Sequence, residues 1–398
     1  MAAAAGLDRR AAGRARESLD AAIGVLAAVP MSTSLYSGFP GIAWAADMVG
    51  GLVGRTGIRD TGTRDTGTRD GSPGERVSGG TGPEDRNGDI DAALAAVVLR
   101  YPERGAYDLI DGLAGIGAYA LARWPRPAAA ACLDGVVERL AARARRDGDG
   151  VHWWTGPDQL IGPRARQYPD GGVDLGMAHG IAGLIPLLAR AHTLGAHPRA
   201  VRSMLDGTVR WLLAHLIETP AGHTAPGFVA RDTAPVPARM AWCYGDPGVA
   251  MALLLAGRDA GEPAWTRAGT ELALAAAART PAEAGVSDAG ICHGSAGLAH
   301  LFCRMYQLTG EQRLADAAVT WAERTIARCT GQDGGHRGDE AAGQGGGRSG
   351  RQGAGLLEGT AGVALVLLAA CYPVEPAWDQ LLFGVPVAVA APREDGQP

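Results

Sequence analysis

The pattern polar-Gly-x-x-Gly-apolar returns six times along this chain. It appears as "SGFPGIAWA", "DGLAGIGAY", "HGIAGLIPL", "YGDPGVAMA", "HGSAGLAHL" and "EGTAGVALV", with first glycines at 38, 112, 180, 245, 294 and 359. Each copy opens a run rich in Ala and Leu at helical spacing. Further helical stretches lie between them, such as "AACLDGVVERLAARARR" and "AVRSMLDGTVRWLLAHLI". β-branched residues seldom alternate, so strand signals are few. The repeating unit is a pair of helices, one opened by the glycine turn and one returning. Such units either stack as an open solenoid or close into a ring. Six in register favour the ring: an all-α protein, an α/α toroid with the glycine-led helices inside. Their N-termini then share one end of a central cavity, which favours anions by ~0.3–1 kcal/mol per helix end. Glycine is expected there for the turn and for close helix approach.

A chain of 398 residues can bury a large core. The net charge of -5 is mild and argues against a nucleic-acid partner. Every basic residue is arginine. Six cysteines in so long a chain make no disulfide framework. The start, "MAAAAGLDRRAAGRARESLD", has no apolar core of the signal-peptide kind, and the longest apolar run, "GVALVLLAACYPV", is too short for a bilayer. The expectation is a cytoplasmic protein with reduced thiols and no membrane insertion.

Two stretches interrupt the repeats. Residues 51–90 contain the tandem "RDTGTRDTGTRDG" and read as a disordered insertion; residues 331–355 read as a flexible Gly-rich loop. Both fall between units, so residues 1–398 read as a single toroid domain.

Register singles out the chemistry. Two positions before the first glycine of each motif stand Tyr36, Ile110, Ala178, Cys243, Cys292 and Leu357. The two cysteines therefore occupy the same place in adjacent repeats, and neighbouring inner helices would present both thiols at one depth. His293 follows Cys292 directly. Two cysteines and a histidine are three ligands for tetrahedral zinc with one position open, the arrangement of a catalytic metal. The plain alternative is two buried cysteines beside a helix-capping histidine.

"AWCYGDPG" and "ICHGSAG" resemble the zinc-site motifs of the lanthionine synthetase C-like (LanC-like) cyclases. "YDLIDGLAGIGAY" and "DLGMAHGIAG" resemble further segments of that family. The likeness runs from "SLYSGFPGIA" to "LLEGTAGVALVLL" outside the two insertions. It implies an α/α toroid of seven helix pairs, against six glycine turns here. It also implies a lanthipeptide cyclase acting on a dehydrated precursor peptide supplied by a separate dehydratase. A substrate cysteine adds to dehydroalanine or dehydrobutyrine and forms a thioether. By resemblance Cys243, Cys292 and His293 are the Zn2+ ligands, and Asp108, His179, Arg239 and Tyr244 match the remaining active-site positions.

Those residue types suit the chemistry. A free thiol is little ionised at neutral pH, and a bound metal deprotonates it. Addition leaves an enolate that needs a proton, for which His179 is the natural acid. Asp108 would orient it, and Arg239 would stabilise the enolate. Asp111 rivals Asp108, because it holds the inner-ring register. Glu358 faces the cavity by register, and "VHWWTGP" either lines a peptide groove or packs a loop. Cys132, Cys303, Cys329 and Cys371 read as core, and His192, His197, His215, His223 and His300 as lacking a ligand-type partner. Two other functions stay open: a non-cyclising LanC-like zinc protein that binds glutathione or a partner protein, and a prenyltransferase-like zinc barrel, against which the paired cysteines count.

Overall fold

The structure is a computed structural model that describes residues 9–55, 85, 87–220, 222–331 and 353–387. Six glycine-led helices follow the six motifs: α2 (Phe39–Arg55), α4 (Leu113–Arg123), α7 (Ile181–Thr193), α9 (Asp246–Ala260), α11 (Ser295–Thr309) and α13 (Thr360–Cys371). Between them run α1 (Arg9–Ala28), α3 (Gly88–Leu99), α5 (Pro127–Arg143), α8 (Pro198–Ala214), α10 (Pro263–Ala277) and α12 (Gln312–Cys329). Two short helices, α6 (Pro163–Gln167) and α14 (Gln380–Phe383), complete the set among the described residues. Six strands of two or three residues pair antiparallel into three ribbons. The scarcity of strand signals in the sequence agrees with this.

Burial separates the two rings. In α4, α7, α9 and α11 most residues are buried, around more than one face of the helix. The helices α8, α10 and α12 bury one stripe each, as amphipathic outer helices do. Proline at the first turn starts α5, α8 and α10, where its missing N–H costs nothing. Neighbouring inner helices pack in order from α2 round to α13, and α2, α4, α7, α9 and α11 are each backed by an outer helix. The result is the α/α toroid expected from the repeats.

The loops that precede the inner helices are stitched together. The Leu35 amide donates to the Ile110 carbonyl at 3.0 Å, Leu109 to Ala178 at 3.2 Å, Ala178 to Cys243 at 3.4 Å, Cys243 to Cys292 at 3.2 Å and Cys292 to Leu357 at 2.9 Å. These bonds fall at or beside the register position two before each first glycine. They place the inner N-termini at one end of the ring.

The second glycine of each motif has a different role from the close helix approach expected of it. A Cβ at Gly183 would fall on the carbonyl oxygen of Met177, and one at Gly297 on that of Ile291; the same clash with the loop six residues upstream recurs at Gly41, Gly115, Gly248 and Gly362. The first turn of each inner helix thus sits directly on the backbone of its own stitched loop. Only glycine leaves that space.

Buried ion networks tie elements together. Arg123 of α4 is 1% exposed and meets Asp91, Asp85 and Asp47. Arg304 of α11 meets Asp379 and Glu375, and His300 meets Asp379 at 3.1 Å. The latter network holds the C-terminal segment, whose α14 also reaches across the ring. The Tyr36 hydroxyl donates to the Leu381 carbonyl at 2.7 Å, and the Trp242 indole to that of Leu382 at 2.8 Å.

Several expectations are revised. The ends of the 51–90 stretch are helical: residues up to Arg55 belong to α2, and α3 begins at Gly88. Residues 56–84 and 86 lie outside the described residues, as do 332–352 of the Gly-rich loop. Cys132 is buried as expected, but Cys303 is only half-buried and Cys329 and Cys371 are exposed. An outer-helix end and the C-terminal end of α13 look apolar in sequence, yet no neighbour among the described residues covers those positions. His300 has a carboxylate partner in Asp379, from a segment 79 residues away.

The glycine reading is open to a direct check. Gly183→Ala is expected to lower unfolding stability by about 1–3 kcal/mol, the usual cost of overpacking a fitted site. Gly13→Ala, in α1 with open space around the new methyl, is expected to raise it by about 0.4–1 kcal/mol. Denaturant melts of both variants measure the contrast, and equal effects would dismiss the packing argument.

Candidate metal centre and active site

Cys243 and Cys292 end two adjacent stitched loops, and the bond between their backbones brings their side chains together. His293 follows on the second loop. The two Sγ atoms and one His293 nitrogen all lie within 4.8 Å of one another. Small side-chain rotations would let one ion reach all three.

The electrostatics of the trio ask for a cation. A hydrogen bond from Cys292 holds the Cys243 thiol below its ordinary value, helped by His293 and by the Arg239 charge. The same contact with Cys243, with burial, pushes Cys292 up. A hydrogen bond to Cys243 raises His293 against the effect of burial. A soft divalent ion such as zinc would hold both sulfurs as thiolates and satisfy all three donors.

His293 is aimed by a residue outside the expected set. Its Nε2 lies 3.3 Å from Asp288 Oδ2, while Asp288 Oδ1 accepts the Gly290 amide at 2.8 Å. With Nε2 engaged, Nδ1 is the nitrogen left for a metal, a carboxylate-histidine arrangement common around metal ions. The signal lay in the sequence. "DLGMAHGIAG" and "DAGICHGSAG" share Asp-x-Gly-x-x-His-Gly-x-Ala-Gly, with Asp174 and Asp288 in the same place. Comparing the third and fifth repeats residue by residue would have found it.

The third and second repeats together supply a histidine-carboxylate pair. His179 Nδ1 lies 3.0 Å from Asp108 Oδ2. The Asp108 loop is stitched to Ala178, and Ala178 to Cys243, so the pair sits on the loops next to the sulfurs. Burial lowers the His179 pKa, but the hydrogen bond and charge of Asp108, with Asp174 and Asp111 behind, outweigh it and leave it raised. Asp108 Oδ1 accepts the Asp111 amide at 2.8 Å. Asp111 thus braces the loop, while Asp108 makes the contact with histidine.

Tyr244 and Arg239 differ in their surroundings. The Tyr244 hydroxyl donates to Asp174 Oδ2 at 2.8 Å and accepts from Arg164 Nη1 at 2.5 Å. The Arg164 guanidinium lies 4.0 Å from the ring centroid. Burial and Asp174 push the phenol far above its ordinary value. Asp174 and Arg164 thus hold the Tyr244 side chain in one position. Arg164, on α6, was not among the sequence candidates, because only the fold brings α6 to this site. Arg239 is exposed and has no hydrogen bond or ion pair among the described residues, yet its charge reaches both sulfurs. Glu358 acts on Cys292 through space and so borders the same site.

The family model for lanthionine synthetase C-like protein matches residues 79–383. The chain belongs to the lanthionine synthetase C-like family. Nisin biosynthesis protein NisC of Lactococcus lactis subsp. lactis is 25% identical over 213 residues, covering 50% of this chain and 49% of that protein. The match thus spans about half the length of that curated relative. Among solved structures, a nisin cyclase superposes with a TM-score of 0.69 at 19% identity, covering 93% of this chain and 84% of that one. The toroid is thus the fold of this family. No helix among the described residues is long and apolar enough to cross a membrane.

Metal uptake tests the centre. Titrated with zinc, the native chain is expected to take up one ion and Cys292→Ala essentially none, with helical circular dichroism unchanged. Asp288→Asn is expected to keep the site but weaken it by ~10–100-fold, the usual loss when such a partner is removed. Competition with a chromophoric chelator measures both. Undiminished affinity in Cys292→Ala would reject the donor set.

Proposed function

We propose that this chain is a zinc-dependent lanthipeptide cyclase. It would join peptide cysteine thiolates to dehydroalanine or dehydrobutyrine and form lanthionine or methyllanthionine rings in a dehydrated precursor peptide made by a separate dehydratase. The observation that carries this reading is one of placement. The Cys243-Cys292-His293 donor set and the His179-Asp108 pair stand on adjacent stitched loops at one end of the ring. Family membership supports it.

Zinc bound at the three donors would supply a Lewis acid that keeps a fourth, incoming thiol ionised near neutral pH. The residues of the chain account for the rest. As the sulfur bonds to the β-carbon, the π pair of the dehydro residue moves toward the adjacent carbonyl and leaves an enolate. Arg239, exposed beside the sulfurs, is placed to meet that charge. Asp108 holds His179 Nδ1, so Nε2 faces the substrate. His179 gives its Nε2 proton to the α-carbon and is reprotonated from solvent. Its raised pKa favours the acid form that this step needs. Tyr244, clamped by Asp174 and Arg164, shapes the wall and keeps water from the reacting face.

The sign of the pH dependence follows. The acid form of His179 is needed, and its pKa is raised above the usual ~6.5. The rate should therefore fall as pH rises through that raised value. Asp108→Asn removes the main charge that raises it, so the alkaline limb should move to lower pH. His179→Asn should keep full zinc and lose ~10²–10⁴-fold in rate, the span expected for a general acid. The assay is loss of free thiol from a dehydrated peptide, with zinc content measured on the same samples. Full zinc without any thiol loss in the native protein would end the cyclase reading and leave that of a thiol-binding relative.

A further inference from the structure

Outside the ring's central site, a cavity of about 790 Å³ opens beside the Asp108 loop. Four guanidinium groups line it, from Arg104, Arg139, Arg143 and Arg145, together with Tyr101 and Trp154. Two carboxylates, Glu103 and Asp158, also face it, so positive charge prevails by two. Arg104 and Asp158 are loosely paired at 4.0 Å, and both are largely exposed. Arg145 lies over the Trp154 ring, 4.8 Å from its centroid, which leaves its N–H edges outward. Arg139 and Arg143 are anchored from behind by the Val98 and Gly105 carbonyls.

One atom marks the cavity as incomplete. Nη1 of Arg143 is buried and has no hydrogen-bond partner among the described residues. Burial pulls that guanidinium below its ordinary value, with no carboxylate offsetting it. A buried charged donor left unmade is costly, and such groups are normally satisfied by a partner or a ligand.

The cavity is coupled to the reactive end of the ring. The Tyr101 hydroxyl donates to the Ala106 carbonyl at 2.8 Å, and Gln159 to that of Arg104 at 3.2 Å. The Tyr107 hydroxyl meets Thr155 Oγ1 at 3.1 Å. Tyr101 to Arg104 form one wall of the cavity, and the chain runs on from there through Tyr107 into Asp108.

We propose that this cavity binds an acidic stretch of the peptide substrate, away from the ring-forming residues, with carboxylate side chains on the arginine forks and backbone against Trp154. Guanidinium forks match planar carboxylates edge to edge. The two native carboxylates in the wall disfavour a dianion and suit singly charged groups spaced along a chain. That the bound segment belongs to a peptide being cyclised rests on the cyclase reading; the affinity of the cavity for carboxylates does not.

The probe is acetyl-tetraglutamate amide, with acetyl-tetraglutamine amide and inorganic phosphate as controls, followed by calorimetry on the full chain. Tetraglutamate is expected to bind, and to bind more weakly as salt rises. Tetraglutamine is expected not to bind. The double variant Arg104→Gln, Arg145→Gln changes exposed side chains only. It should lose roughly five- to tenfold in affinity for tetraglutamate while keeping zinc and the rate on a short dehydrated peptide without acidic residues. Absent binding, equal binding of tetraglutamine, an unaffected double variant, or displacement by phosphate at equal concentration would each overturn the proposal. Bound tetraglutamate in a protein that consumes no thiol would instead count against the cyclase reading alone.

Discussion

Backbone hydrogen bonds between the loops before the inner helices fix this molecule. Each loop gives or takes an amide at or beside the residue two before its first glycine, from Leu35 round to Leu357. An amide buried without a partner is expensive, so each loop is held in register by its neighbours. The glycines make this possible, because the helix that follows must rest on the carbonyls of the same loop. The position of every inner N-terminus follows from these bonds. So does the meeting of Cys243 with Cys292, since those two residues are themselves one of the links.

Chemistry is laid onto this ring by small differences between repeats. The third and fifth repeats share one ten-residue pattern and the same aspartate turn, in which Asp174 and Asp288 each accept an amide two residues on. In the fifth repeat the aspartate aims His293 and the register position is cysteine. In the third the register position is Ala178, and the aspartate instead clamps Tyr244 together with Arg164. The third-repeat histidine is left to pair with Asp108 from the second repeat. One scaffold thus yields a Cys-Cys-His group that could hold a soft cation and, one loop away, a histidine whose pKa is raised by carboxylates.

The outer parts serve this centre indirectly. Four of the inner helices, α4, α7, α9 and α11, are largely buried, so the core tolerates little movement beneath the site. The C-terminal turn ties Tyr36 of the first repeat to Trp242 of the fourth and is itself held by the Arg304 and His300 network. On the other side of the Asp108 loop, the arginine-lined cavity shares its wall with the reactive end.

What the sequence determined was whatever depends on period and register. The six glycine turns, the paired helices, the toroid and the equivalence of Cys243 with Cys292 could all be read there, because a repeat places equal positions at equal depth. The motifs around Asp108, His179 and His293 could be read as a family likeness. What only tertiary structure decided was contact between segments with no shared period. Arg164 reaches Tyr244 from a short helix 80 residues away and, with Asp174, fixes its hydroxyl. Asp379 reaches His300, and α14 crosses the ring, through side chains with no pattern in the sequence. The exposure of Cys329 and Cys371 was likewise undecidable from composition, since an apolar helical context does not say whether a neighbour covers it. Burial is a property of what packs on a residue, and that is settled only when the ring has closed.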